Sequence, residues 1–117
     1  MKLKKLCYFL LFLLLIGCTS QKEVIKELKS KSSDTYTLHV FKEDSGADEI
    51  DKEVNRIWNN NIKKIESVQF YDNFQKRNKE MIKALDIADF PTFVVLDDAK
   101  IVLKTTDLND VTKMMEK

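Results

Sequence analysis

The chain has 117 residues, with 20 Lys/Arg against 19 Asp/Glu and a formal charge of +1. That length suits one small domain with a modest core, and so even a charge balance carries no electrostatic footprint for nucleic acid. There are 2 cysteines, so any thiol chemistry depends on where those two fall.

The first segment is a leader. Lys2, Lys4 and Lys5 precede an unbroken apolar run over residues 6–16. The run fits the roughly 7–15 residues of a signal-peptide core and falls short of the roughly 20 that a spanning helix needs. Gly17 supplies the small residue that a signal peptidase requires beside its cut. An uncleaved anchor helix or a plain secretory signal would share these features; Cys18 is what separates them. Leu15-Ile16-Gly17-Cys18 resembles the lipobox of bacterial lipoprotein signal peptides. The resemblance implies cleavage between Gly17 and Cys18, diacylglycerol on the Cys18 thiol with palmitate among the acyl chains of that cysteine, and a lipid anchor on the extracytoplasmic face of the cell membrane. Several acyl chains on one cysteine hold far more firmly than a single myristoyl.

Processing at that site changes the balance. Three lysines leave with residues 1–17, so 17 Lys/Arg face 19 Asp/Glu and the formal charge becomes −2. Cys7 leaves too and Cys18 is acylated. Residues 19–117 contain no cysteine, which leaves that region without a disulfide, a thiolate metal site or a cysteine nucleophile.

Residues 18–34 read as the lipidated N-terminus and a flexible polar tether. Val24, Ile25 and Leu28 allow a helical turn or two before Lys29-Ser30-Lys31-Ser32-Ser33-Asp34 breaks it. Tyr36 to Phe41 is rich in β-branched and aromatic residues and predicts a strand. Ser45 and Asp48 fit a capping box. Ile50, Val54, Ile57 and Trp58 then share one face of a helix running to about Asn60. Ser67 to Tyr71 predicts a second strand. Phe74, Met81, Ile82 and Leu85 predict one face of a second helix, stopped at Asp89-Phe90-Pro91-Thr92. Phe93 to Leu96 is continuously apolar, as in a strand covered on both faces. Asp97 to Lys100 is a tight turn, Ile101 to Thr105 its hairpin partner, and Asp107 can cap a last helix carrying Leu108, Val111 and Met115.

The order β-α-β-α-β-β-α, with Ile87-Ala88-Asp89-Phe90-Pro91-Thr92-Phe93 ahead of the hairpin, resembles the thioredoxin fold over residues 35–117. The resemblance implies an α/β domain with a four-stranded mixed sheet and a cis peptide bond before Pro91, the chain's only proline. In that family a Cys-X-X-Cys motif starts the first helix, whose N-terminal end lowers the thiol pKa. Here Ser45-Gly46-Ala47-Asp48 stands in about that place, and a serine cannot cycle through a disulfide. The fold alone therefore carries no redox activity to this chain. The resemblance also implies a groove for extended peptides flanked by Ser45, Gly46, Phe90, Pro91 and Thr92, with Thr92 backbone groups as pairing partners.

Two other chemistries compete. Glu43, Asp44, Asp48, Glu49, Asp51 and Glu53 crowd eleven residues and offer oxygen ligands, but the EF-hand spacing is absent. Acids are also favoured at a helix start by its dipole. Ser45 as a nucleophile needs a base, and His39, the only histidine, reads instead as a packed strand residue. The expectation is a membrane-anchored, non-catalytic module of the cell envelope without metal or cofactor. It would bind an envelope protein or peptidoglycan, as some small Gram-positive envelope lipoproteins do. The alternative is a metal-dependent or partner-assisted redox enzyme.

Overall fold

The structure, a computed structural model, describes residues 21–43 and 49–117. The leader, Cys18, and Ser45 and Gly46 lie outside the described residues. Four strands, β1 (Tyr36–Phe41), β2 (Ile65–Tyr71), β3 (Thr92–Leu96) and β4 (Ile101–Thr105), form one sheet in the order β2-β1-β3-β4. β1 runs parallel to β2 and antiparallel to β3, and β3 pairs antiparallel with β4. The helices are α1 (residues 21–28), α2 (Glu49–Asn60), α3 (Lys76–Ala84) and α4 (Leu108–Met115).

Strand side chains alternate between two faces, and here both faces are covered. Leu38 and Val40 of β1 join Phe93 and Val95 of β3 on one side, packed with Val54 and Ile57 of α2 and with Val111 and Met115 of α4. Phe41, Val94 and Leu96 point the other way, into a second cluster with Leu28, Met81 and Leu85. The register pairs Leu38 with Val95 and Val40 with Phe93, so residues opposite one another feed the same core. The continuous apolar run over Phe93–Leu96 is thus a two-faced strand, and all of β3 is buried.

The helices end where polar groups can close them. Asp107 accepts from the Asn109 amide at 3.0 Å, satisfying an orphan N–H at the start of α4. At the other end Lys64 Nζ donates to the Met115 carbonyl at 2.5 Å. The Asp72 carboxylate accepts from the Phe74 and Gln75 amides at 2.9 and 3.1 Å and opens the turn into α3. Those bonds hold its pKa below the usual carboxylate value. Phe74 belongs to this turn and is 66% exposed, so it is not part of the apolar face of α3 as the sequence pattern suggests. The Asp72 turn points it outward before the helix begins.

The segment expected to be a flexible tether is folded from residue 21 onward. Val24, Ile25 and Leu28 share the inner face of α1 and pack into the second core. The Leu28 carbonyl accepts from Thr37 Oγ1 at 2.6 Å and from His39 Nε2 at 2.9 Å. The Ser30 amide donates to the Asp97 carbonyl at 2.9 Å, and Ser30 and Thr35 hydroxyls meet at 2.6 Å. An ion pair between Glu27 and Arg77 ties α1 to α3. The packed unit therefore includes residues 24–34, ahead of the expected boundary at residue 35. Replacing Leu28 with alanine should lower unfolding free energy by about 2–4 kcal/mol, the usual range for a buried leucine. Urea denaturation measures it, and no change in midpoint would restore the tether.

Candidate functional site

The C-terminal ends of β1 and β2, the N-terminus of β3 and the first turn of α2 meet at one end of the sheet, since Phe41 lies opposite both Tyr71 and Thr92. Lys42 follows β1 there and is buried. Its ammonium donates to Asp51 Oδ1 at 2.8 Å and sits 5.7 Å from the centre of the Phe70 ring. This pair fastens α2 to the end of β1.

A recess of about 330 Å³ opens beside that junction, lined by Glu49, Ile50, Pro91, Phe93, Asp107 and Leu108 together with Glu53 and Thr106. Its floor is apolar and its rim carries three carboxylates. The Phe90-Pro91 bond is cis. Of the residues expected to flank a groove, Pro91 lines this recess. Phe90 is half-buried and packs against the second core. Thr92 is buried in the ladder opposite Phe41, and its hydroxyl donates to the Asp89 carbonyl at 2.5 Å. It faces a separate recess of about 360 Å³ shared with Asp86, Asp89 and Lys104. Thr92 in the sheet and Phe90 against the second core therefore flank the Pro91 turn without lining its recess.

Glu49, Glu53 and Asp107 are recess residues that the sequence pattern does not single out for this role. The glutamates read as a dipole-favoured helix start, and Asp107 reads as a cap. Only the pairing of β3 with β4 brings the Thr106-Asp107 loop against α2, and no local signal records that.

The crowded acids are partly committed. Asp51 is taken by Lys42 and Glu53 pairs with Arg56. Among the described residues no three His, Cys, Asp or Glu side chains are placed to hold a metal ion. Trp58 is half-buried against the first core and donates from Nε1 to the Ile65 carbonyl at 3.2 Å, a packing role.

His39 is 2% exposed and both its ring nitrogens are engaged. Nε2 donates to the Leu28 carbonyl, which leaves Nδ1 of the neutral ring as an acceptor 2.9 Å from the Tyr71 hydroxyl. Tyr71 stacks on Phe41 with ring centres 4.7 Å apart and also contacts the Gln69 side chain. The Tyr71 hydroxyl thus lies between His39 Nδ1 and the Gln69 amide oxygen, which accepts from it. Burial pushes the imidazole down to about 4, opposed by the Leu28 hydrogen bond, and pushes the Tyr71 phenol up to about 12. Enclosed in this way, His39 is a structural pin and has no free nitrogen to serve a nucleophile.

The histidine makes stability depend on pH. The unfolded chain protonates near the ordinary value of 6.5 and the folded chain only near 4. Between those limits the unfolded state binds more protons, so stability falls as pH drops from about 6.5 to about 4, by about 3 kcal/mol in all. In urea titrations across that window, His39→Gln should flatten the slope relative to the parent chain. Equal slopes would mean that His39 titrates normally.

No family model matches the chain, and no curated protein matches it. Solved structures do. Thioredoxin f2 from Chlamydomonas reinhardtii superposes with a TM-score of 0.63 at 19% identity, covering 81% of this chain and 89% of its own. Thioredoxin O2 from Arabidopsis thaliana in its oxidized state gives 0.62 at 10% identity, covering 85% and 86%. The thioredoxin of Fasciola hepatica gives 0.58 at 19% identity, covering 80% and 86%. The chain has a thioredoxin-like fold. Identities this low establish the fold and nothing of the activity.

Proposed function

We propose that this chain is a lipid-anchored, non-catalytic binding module of the bacterial cell envelope. The observation that carries the reading is the absence of cysteine from residues 19–117 in a fold whose recess lies beside the first turn of α2. That recess offers an apolar floor and carboxylates, a surface that can hold a ligand but cannot exchange a disulfide. An extended segment of an envelope protein, laid along the Pro91 turn, is the ligand such a shape suits. Peptidoglycan is the other envelope partner that the lipoprotein resemblance suggests. The leader supports the address: Lys2, Lys4 and Lys5, an apolar core of signal length, and Gly17 before Cys18.

Two measurements test the reading. Radiolabelled palmitate should enter the protein in bacteria and be lost on Cys18→Ala, whereas a full-length, unlabelled product would remove the anchor. Insulin-disulfide reduction by the purified protein should stay at the uncatalysed rate. Turnover there would overturn the non-catalytic assignment.

A further inference from the structure

The two helical layers differ in charge. On the layer with α1 and α3, residues 21–31 expose Lys22, Lys26, Lys29 and Lys31 against Glu23 and Glu27. Beside them α3 exposes Lys76, Arg77, Lys79 and Lys83 against Glu80. This layer nets five positive charges. The opposite layer has no such excess, since its acids are balanced once Lys63 and Lys64 in the turn after α2 are counted. Along α2, Glu49, Asp51 and Glu53 outnumber Lys52 and Arg56, and from the α4 cap onward Asp107, Asp110 and Glu116 outnumber Lys113 and Lys117. The positive excess thus lies on one face in a chain that is nearly neutral as a whole.

The basic layer is also the one that carries the N-terminus. Cys18 precedes Gln21 by three residues, and three residues reach about 11 Å at most. From residue 21 the chain is locked to the domain through Leu28 and the Glu27–Arg77 ion pair. A lipid on Cys18 therefore brings α1 close to the headgroups, with no long tether to hold the domain away.

We infer that the α1/α3 face is a membrane-docking surface that lies on the anionic headgroups of the bilayer holding the Cys18 lipid. This rests on the lipid anchor proposed above. Juxtamembrane lysines are drawn to an anionic leaflet within about a Debye length, which the short link satisfies. Docking by this face turns α2, α4 and the Pro91 recess away from the membrane, toward the medium where a partner would approach. The anchor and the recess then sit on opposite sides of one sheet.

The test uses the mature acylated protein in vesicles of phosphatidylcholine alone or phosphatidylcholine with phosphatidylglycerol. A fluorophore is placed through Gln75→Cys beside α3 or Asn55→Cys on α2, both uncharged and exposed positions, and a headgroup nitroxide lipid acts as quencher. Fluorescence at position 75 should be lost in phosphatidylglycerol vesicles and retained at position 55. High salt, or Lys76→Glu/Lys79→Glu/Lys83→Glu, should restore it while the protein stays vesicle-bound and keeps its circular dichroism melt. Equal quenching at both positions, or equal quenching in both vesicle types, overturns the docking face. Failure of the anchor itself looks different: no diacylglycerol by mass spectrometry and no flotation with phosphatidylcholine. A chain of that kind that still floats with phosphatidylglycerol vesicles and is quenched at position 75 keeps the basic face. One that does not float overturns it.

Discussion

Two-sided burial of β3 is the constraint on which the remaining structure depends. Phe93 and Val95 fill one core, Val94 and Leu96 the other, and no residue of the strand reaches solvent. Such a strand is stable only between two helical layers. It needs α2 and α4 on one side and α1 and α3 on the other, and β1 beside it must be two-faced as well. Where β3 begins is then critical. A slip of one residue would exchange the two cores' side chains, and Pro91, which lacks an amide donor, stands immediately before the first strand residue.

The same constraint explains what the sequence reveals. Strands and helices whose apolar pattern is set by this sandwich are legible. Val54 and Ile57, Val111 and Met115, and Phe93–Leu96 of β3 fall where the apolar pattern puts them. The helix at residues 21–28 is not legible as part of the domain, because Val24, Ile25 and Leu28 suit a short tether helix as well as a packed one, and the groups that hold its C-terminal end to the sheet are polar. Ser30, Thr37 and His39 are buried, and each is satisfied by a hydrogen-bonding partner distant from it in sequence or held in a neighbouring loop. Polarity marks Ser30 as part of a solvent-facing tether, and only the completed network shows otherwise. Phe74 is the opposite case. Its apolar side chain suggests core, but the Asp72 turn holds it outside.

The site divides along the same line. Pro91 is visible in the sequence because one proline before an apolar strand has a local meaning. The recess around it is assembled from α2, the start of β3 and the loop after β4, so its composition depends on tertiary pairing. Phe90 and Thr92, adjacent to Pro91 in sequence, are taken by the core and the sheet. Glu49 and Asp107, far apart in sequence, line the recess instead.

What the recess can do follows from which of its groups remain uncommitted. Glu53 is engaged by Arg56, and Asp107 accepts from the Asn109 amide in the first turn of α4. Glu49 alone on the rim has no partner among the described contacts. Paired carboxylates acting as acid and base need two free groups facing one substrate, and a nucleophile needs a base beside it. His39 could supply neither role, since Leu28 and Tyr71 hold both its nitrogens. Ile50, Phe93 and Leu108 contribute most of the remaining surface, and their chemistry is burial of apolar area. A ligand seated there would gain affinity from contact with that apolar area and from the rim charge.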